Sequence, residues 1–229
     1  MMNDGDIRNV YCVGRNYRLH AAELGNAVPD APMLFMKPTH AVVEAAGGSI
    51  VLPHDQGEVH YEAEVVLCIG RDYTPGISVD ELVTDMALGI DFTLRTVQDG
   101  LKAKGHPWLA AKGFRQSAPV GGRRPYQGTA EAAEIPFTLK INGREVQQGR
   151  MADMIFSPQT IVDFVAEHYG LGAGDLIFTG TPAGVGAVRD GDRFELFWNG
   201  EPSGSFTVQL TGDVASGDGD SGTAAGTIG

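Results

Sequence analysis

The sequence predicts one domain of the α+β class, mostly β with a few short helices, and three observations carry that expectation. Its 32 glycines and 12 prolines cut 229 residues into many short segments, which suits strands and long functional loops better than a helical bundle. Short apolar runs bounded by turn residues recur along the whole length. Strand-like and helix-like segments do not alternate regularly, so a doubly wound parallel sheet is disfavoured against a large, mostly antiparallel β core.

In chain order, strands are expected at residues 10–13, 33–36, 64–69, 87–94, 137–141, 176–179 and 193–198, where β-branched and aromatic residues concentrate. Asn142-Gly143 and Asn199-Gly200, each flanked by strand-like residues, are hairpin turn signals. The clearest helix starts at Ser157-Pro158, an N-cap followed by proline at the first helical position. Its stripe of Ile161, Phe164 and Val165 ends at Gly170. Shorter helices are expected at 17–24, 79–86 and 96–104. From Thr211 the chain is rich in small and acidic residues without an aromatic or basic side chain, so 211–229 is expected to be a disordered tail behind a domain of residues 1–210.

Seventeen basic residues against 29 acidic ones leave a net charge of −12, which argues against nucleic acid or an anionic membrane as partner. No stretch approaches the roughly 20 apolar residues of a membrane span, and the N-terminus lacks the pattern of a secretory signal, so the cytoplasm is the default location. Cys12 and Cys68 sit in apolar strand-like runs and read as buried, reduced, structural thiols.

The chemistry begins in HYEAEVVLCIG, where Glu62 and Glu64 stand two apart. Residues i and i+2 of a strand point to one side, so both carboxylates converge while Tyr61, Ala63 and Val65 face the other way. Such a pair also fits the wet face of a half-exposed strand. Asp91 weighs against that reading, because a charge between Ile90 and Phe92 in an apolar run is seldom buried without a partner. Three converging carboxylates call for protonation or a divalent cation, and an all-oxygen set favours Mg²⁺, Mn²⁺ or Ca²⁺ over zinc.

Three further segments are candidates. In GRNYRLHAAELG, His20 and Glu23 share a face if helical, and a carboxylate that orients an imidazole makes a general base. An exposed ion pair has the same spacing. Arg95 and Gln98 follow Asp91, and Lys112 follows the turn GHPW. Near a cation they suit a small keto acid, although each alone is also an ordinary surface residue type. In DLIFTGTPAGVG, glycine amides and the Thr181 hydroxyl suit an anion, but no Lys-Ser or Lys-Thr makes this a phosphate loop.

Taken in order, GRNY with H-x-x-E, PMLFMKP, H-x-E-x-E, D-x-T-x-R-x-x-Q, G-x-PW with AKGF, NGREVQQG and TGTP-x-GVG closely resemble the fumarylacetoacetate hydrolase family over residues 8–210, in its short acylpyruvate hydrolase and oxaloacetate decarboxylase-like branch. The resemblance implies a β-sandwich roll and a homodimer. It further implies one Mg²⁺ or Mn²⁺ held by Glu62, Glu64 and Asp91, with His20 and Glu23 on a lid that activates water. Arg95, Gln98, Lys112 and Thr181 match positions that hold the keto-acid end of the substrate. One departure bears on how Arg95 is supported: Thr96 stands where many members carry an aspartate.

The resulting expectation is a metal-dependent hydrolase that cleaves a carbon–carbon bond in acylpyruvate-type 2,4-dioxo acids, such as fumarylpyruvate. It would release pyruvate, with His20 delivering water and Lys112 stabilising the enolate. Oxaloacetate decarboxylation or keto–enol tautomerisation needs almost the same site and is the alternative. A non-catalytic domain that binds a cation or keto acid is the reading from another class.

Overall fold

The computed structural model of the chain describes residues 7–18 and 29–211. Val10–Gly14 reads VYCVG, and a run apolar at four successive positions can be buried on both faces of a sheet. It pairs antiparallel with Met33–Lys37 and in parallel with Leu176–Phe178. Ala63–Ile69, Val83–Ile90, Ala118–Val120 and Val42–Glu44 continue the sheet, and Arg124–Pro125 joins at Val83–Ile90 to make eight strands.

Strand alternation sends the side chains of this sheet to two cores. Tyr11, Val13, Val65, Leu67 and Leu88 enter a large one, while Val10, Cys12, Val66, Cys68 and Ala87 enter a smaller one. Gly89 is required there, since a Cβ would lie 2.7 Å from the Phe178 ring and 2.9 Å from Val66.

A second sheet orders Arg144–Gly149, Phe137–Ile141, Arg193–Trp198, Glu201–Thr211 and Ala46–Pro53, and its Phe137, Leu139, Phe194, Leu196 and Phe206 complete the large core. Its hairpins turn where expected: φ is positive at Asn142 (53°) and Gly143 (78°), and at Asn199 (46°) and Gly200 (83°), as a two-residue turn matched to strand twist requires. Phe194 stacks on Phe206 with centroids 4.8 Å apart and meets Phe92 edge-on at 5.7 Å, so the residue after Asp91 is anchored in the second sheet. The expected β-sandwich roll with few helices is the architecture found.

The helix Pro158–Tyr169 matches expectation. The Ser157 hydroxyl accepts from the Thr160 amide at 3.1 Å, Ile161, Val162 and Val165 are buried, and Gly170 ends it at φ 85°. Arg95–Lys104 is helical as well. Two expectations need correction. The helix expected at 79–86 stops at Leu82, after which Val83–Ile90 is a strand whose pairing with Ala63–Ile69 overrides local propensity. The strand expected over 87–94 is interrupted at Asp91 and Phe92, between Val83–Ile90 and the short Thr93–Leu94. The last strand runs through Thr211, and the rest of the expected tail lies outside the described residues, as does most of the helix expected at 17–24. Among the described residues no helix is long and apolar enough to cross a membrane.

Candidate active site

Glu62 sits in the one-residue break between strands Val59–Tyr61 and Ala63–Ile69, and Glu64 lies on the second of these. Val66 and Cys68 follow at the same parity, so both carboxylates belong to the face of the smaller core, at its end. Asp91 lies in the interruption after Val83–Ile90, with its amide bonded to the Glu62 carbonyl at 2.8 Å. The three side chains bring ligand oxygens within 4.8 Å of one another, and all three residues are buried.

Lysines answer this negative charge. The Lys112 ammonium, at the end of the short helix Leu109–Lys112, donates to Glu62 Oε2 at 2.9 Å, Asp91 Oδ2 at 2.5 Å and Thr93 Oγ1 at 2.6 Å. Burial alone would lower its pKa, but the Asp91 and Glu62 carboxylates reverse this and hold it above the ordinary lysine value. Lys37, equally buried, lies 2.8 Å from Asp91 Oδ1 and donates to the Phe92 carbonyl, the Ser117 hydroxyl and the Lys112 carbonyl.

Glu64 takes a bond from the Gly180 amide at 2.7 Å. Burial, then the Asp91 and Glu62 charges, still push its carboxyl well above the usual range. Among the described residues nothing gives Asp91 Oδ1 a bond of hydrogen-bond geometry, the Lys37 contact being an ion pair. An all-oxygen cluster with one carboxyl strained by burial and one oxygen lacking a hydrogen bond fits a divalent cation. Glu62, Glu64 and Asp91 are the residues that would hold it.

The other expected residues of the described chain converge on the same opening. Arg95, first in its helix, donates to Glu62 Oε1 and to Gln98 Oε1, both at 2.6 Å. Gln98 and Glu62 thus hold Arg95 between them. The Thr181 hydroxyl donates to the Ala63 carbonyl at 2.8 Å and accepts from Gln147 Nε2 at 2.8 Å, while Gln147 Oε1 accepts from the Ala63 amide. The loop amide at Gly180, expected to serve an anion, is committed to Glu64 instead. Glu62, Glu64, Arg95, Gln98, Lys112 and Thr181 line one cavity. His20 and Glu23 lie outside the described residues.

Lys37, Thr93 and Gln147 were not singled out as site residues, although the motifs PMLFMKP, D-x-T-x-R-x-x-Q and NGREVQQG contain them. Nothing local shows that a lysine closing an apolar run or a glutamine in a hairpin turns inward. Cys12 and Cys68 are buried free thiols, and burial foremost raises Cys12 well above its usual value and Cys68 to about 11.

Residues 9–210 match the family described as fumarylacetoacetate (FAA) hydrolase C-terminal. The mitochondrial oxaloacetate tautomerase FAHD1 of Homo sapiens is 37% identical over 204 residues, covering 88% of this chain and 92% of the relative. The oxaloacetate tautomerase YcgM of Escherichia coli (strain K12) is 36% identical over 200 residues, covering 86% and 91%. Among solved structures, fumarylpyruvate hydrolase from Pseudomonas aeruginosa in complex with Mn²⁺ and pyruvate superposes with a TM-score of 0.83 at 36% identity, covering 89% of this chain and 90% of that one. A fumarylacetoacetate isomerase/hydrolase from Oleispira antarctica, so described as a candidate, gives 0.82 at 38% identity, covering 88% and 93%.

Proposed function

Because the chain belongs to the fumarylacetoacetate hydrolase family, a family of enzymes, we propose that it acts on short 2-oxo acids with a divalent cation and that its reaction is the keto–enol tautomerisation of oxaloacetate. The observation that carries the proposal is Lys112, a buried ammonium fixed by Glu62, Asp91 and Thr93 beside the cation site, where an enol oxygen would lie. Among the reactions that pass through an enolate, the relatives named oxaloacetate tautomerase support this one.

When bound, Mg²⁺ or Mn²⁺ supplies Lewis-acid polarisation of the 2-oxo group, which acidifies the C3–H bond. Arg95, aimed by Gln98, offers a fork of donors to the C1 carboxylate, and Thr181 flanks it. His20, in the role expected for it with Glu23, takes the proton from C3 and returns it to the 2-oxo oxygen to give the enol. Lys112, whose three N–H groups go to Glu62, Asp91 and Thr93, stabilises the developing enolate by its charge. In the reverse direction the enol O–H bond breaks, His20 carries that proton to C3 and the C3–H bond forms, so no water is consumed. The assembly is proposed to be a homodimer. The names of animal relatives say mitochondrial, so a mitochondrial location stands beside the cytoplasmic one as a proposal.

The decay of enol-oxaloacetate absorbance tests this reading. The Mg²⁺- or Mn²⁺-loaded protein is expected to accelerate ketonisation, and EDTA to abolish the acceleration. His20→Ala is expected to lose about 10²–10⁴-fold and Lys112→Met about 10²–10³-fold. The structural likeness to fumarylpyruvate hydrolase supports acylpyruvate hydrolysis as a second reading. Pyruvate release from acylpyruvates by a protein inert towards enol-oxaloacetate would put that reading first.

A further inference from the structure

The carboxylate cluster already meets three cations: Asp91 pairs with Lys37 and Lys112, and Glu62 with Lys112 and Arg95. Two more cations line the same cavity. Lys102 lies two turns into the helix Arg95–Lys104, four residues after Gln98, on the face that carries Gln98 toward the opening. Its ammonium is held 5.5 Å over the Trp108 ring, and Asp99, its salt-bridge partner among the described residues, is 3.8 Å away with a largely exposed side chain. Arg15 lines the opening from the other side, directly after the strand Val10–Gly14. It adopts φ 59°, a conformation non-glycine residues seldom take, and among the described residues it meets no acidic side chain in a salt bridge. Phe35, 5.9 Å from Trp108 between ring centroids, leaves the wall between the cations apolar.

A divalent cation would leave this cavity with excess positive charge even before Arg15 and Lys102 are counted. A 2-oxo acid with one carboxylate offsets part of that charge, and one with a second carboxylate two carbons beyond the 2-oxo group offsets more. Burial, and then the charges of Arg95, Arg15 and Lys112, lower the Lys102 pKa against the pull of Asp99, as expected where cations crowd around a place for an anion.

We infer that Arg15 and Lys102 form a second anion site, which selects dicarboxylic over monocarboxylic 2-oxo acids by holding the distal carboxylate. The inference rests on the proposed action on 2-oxo acids and names the substrate class. Lys102 acts as a point charge, and Arg15 can close as a fork on the same carboxylate. Both are partly exposed, so the selection weakens as salt screens it.

The test is calorimetric titration of the Mg²⁺-loaded full chain with two unreactive acids, malate and 2-hydroxybutyrate, which differ in carrying a carboxylate or a methyl group at C4. Wild-type protein is expected to bind malate about tenfold or more tightly than 2-hydroxybutyrate, and this ratio should shrink between about 0.02 and 0.5 M NaCl. Lys102→Met and Arg15→Met should each lower the ratio about five- to tenfold, while Lys102→Arg, which keeps the charge, should stay within about threefold of wild type. A wild-type ratio near one, or a ratio unchanged in the Lys102→Met/Arg15→Met double variant, would overturn the second site while oxaloacetate turnover upheld the proposed reaction. Wild-type protein that neither binds malate nor turns over oxaloacetate would overturn both.

Discussion

Glu64 shows how one residue couples acid–base state, fold and metal. Its carboxyl is raised mainly by burial, then by Asp91 and Glu62, so the folded, metal-free chain binds its proton more tightly than the unfolded chain, whose value is near 4.5. The stability this lends is present below that value and is lost as pH rises through the folded one. Glu64→Gln keeps an oxygen to accept from the Gly180 amide and removes the titration. In EDTA, the wild-type Tm should therefore fall relative to that of the variant as pH rises from about 5 to about 8, and parallel Tm curves would refute the assignment. With Mg²⁺ the order reverses, because losing a ligand should weaken binding by about tenfold or more. Glu64 and Glu62 were legible because a two-residue period is written into any strand. Lys37 was not: its burial depends on Asp91, 54 positions away in the chain, and a lysine at the end of MLFMK looks like a strand running out to water.

Elements were legible where their signals are local. The Asn-Gly turns and the Ser157-Pro158 start need only positive φ or a hydroxyl cap, and both appear as expected. The stretch 79–86 misled because VDELVTDM has a helical rhythm, whereas its second half pairs with Ala63–Ile69. Between strand Leu176–Phe178 and the glycine loop, Gly180 has φ 102°, and a Cβ there would lie 2.6 Å from Asn16 Cβ and 3.2 Å from the Val13 carbonyl. Asn16 cannot easily retreat, since its side chain bonds the Thr179 carbonyl at 2.7 Å and the Phe156 amide at 2.8 Å. Gly180→Ala should therefore cost about 1–3 kcal/mol and shift the amide that holds Glu64. Thermal unfolding should show the first effect, and Mg²⁺ titration should show affinity lowered about tenfold although no ligand has been changed. Unaltered affinity in a destabilised variant would separate the turn from the site.

Across the molecule, the sheet that carries the ligands is covered on both faces, and the ligands occupy the end of the smaller core, whose members include Val10, Cys12 and Val66. The order of motifs along the chain made the architecture legible, since several of them mark strand or helix ends that the fold gathers to one opening. Their meeting could not be derived from spacing, because Asp91, Lys112 and Thr181 come from separate elements joined by long-range pairing. Such a site leaves like charges buried together when the cation is absent, so cation binding should act on the whole domain. At a Mg²⁺ concentration about 100 times Kd, the folded state gains about 2.7 kcal/mol. In a domain of this size each kcal/mol moves Tm by about 2–4 °C, which predicts a rise of about 5–11 °C that EDTA reverses. Asp91→Asn should abolish the rise, because it removes the charge that the Lys37 and Lys112 ammonium groups and the cation share. A rise of equal size in that variant would mean that Mg²⁺ binds elsewhere and that the carboxylate cluster is an ion-pair network closed by its lysines.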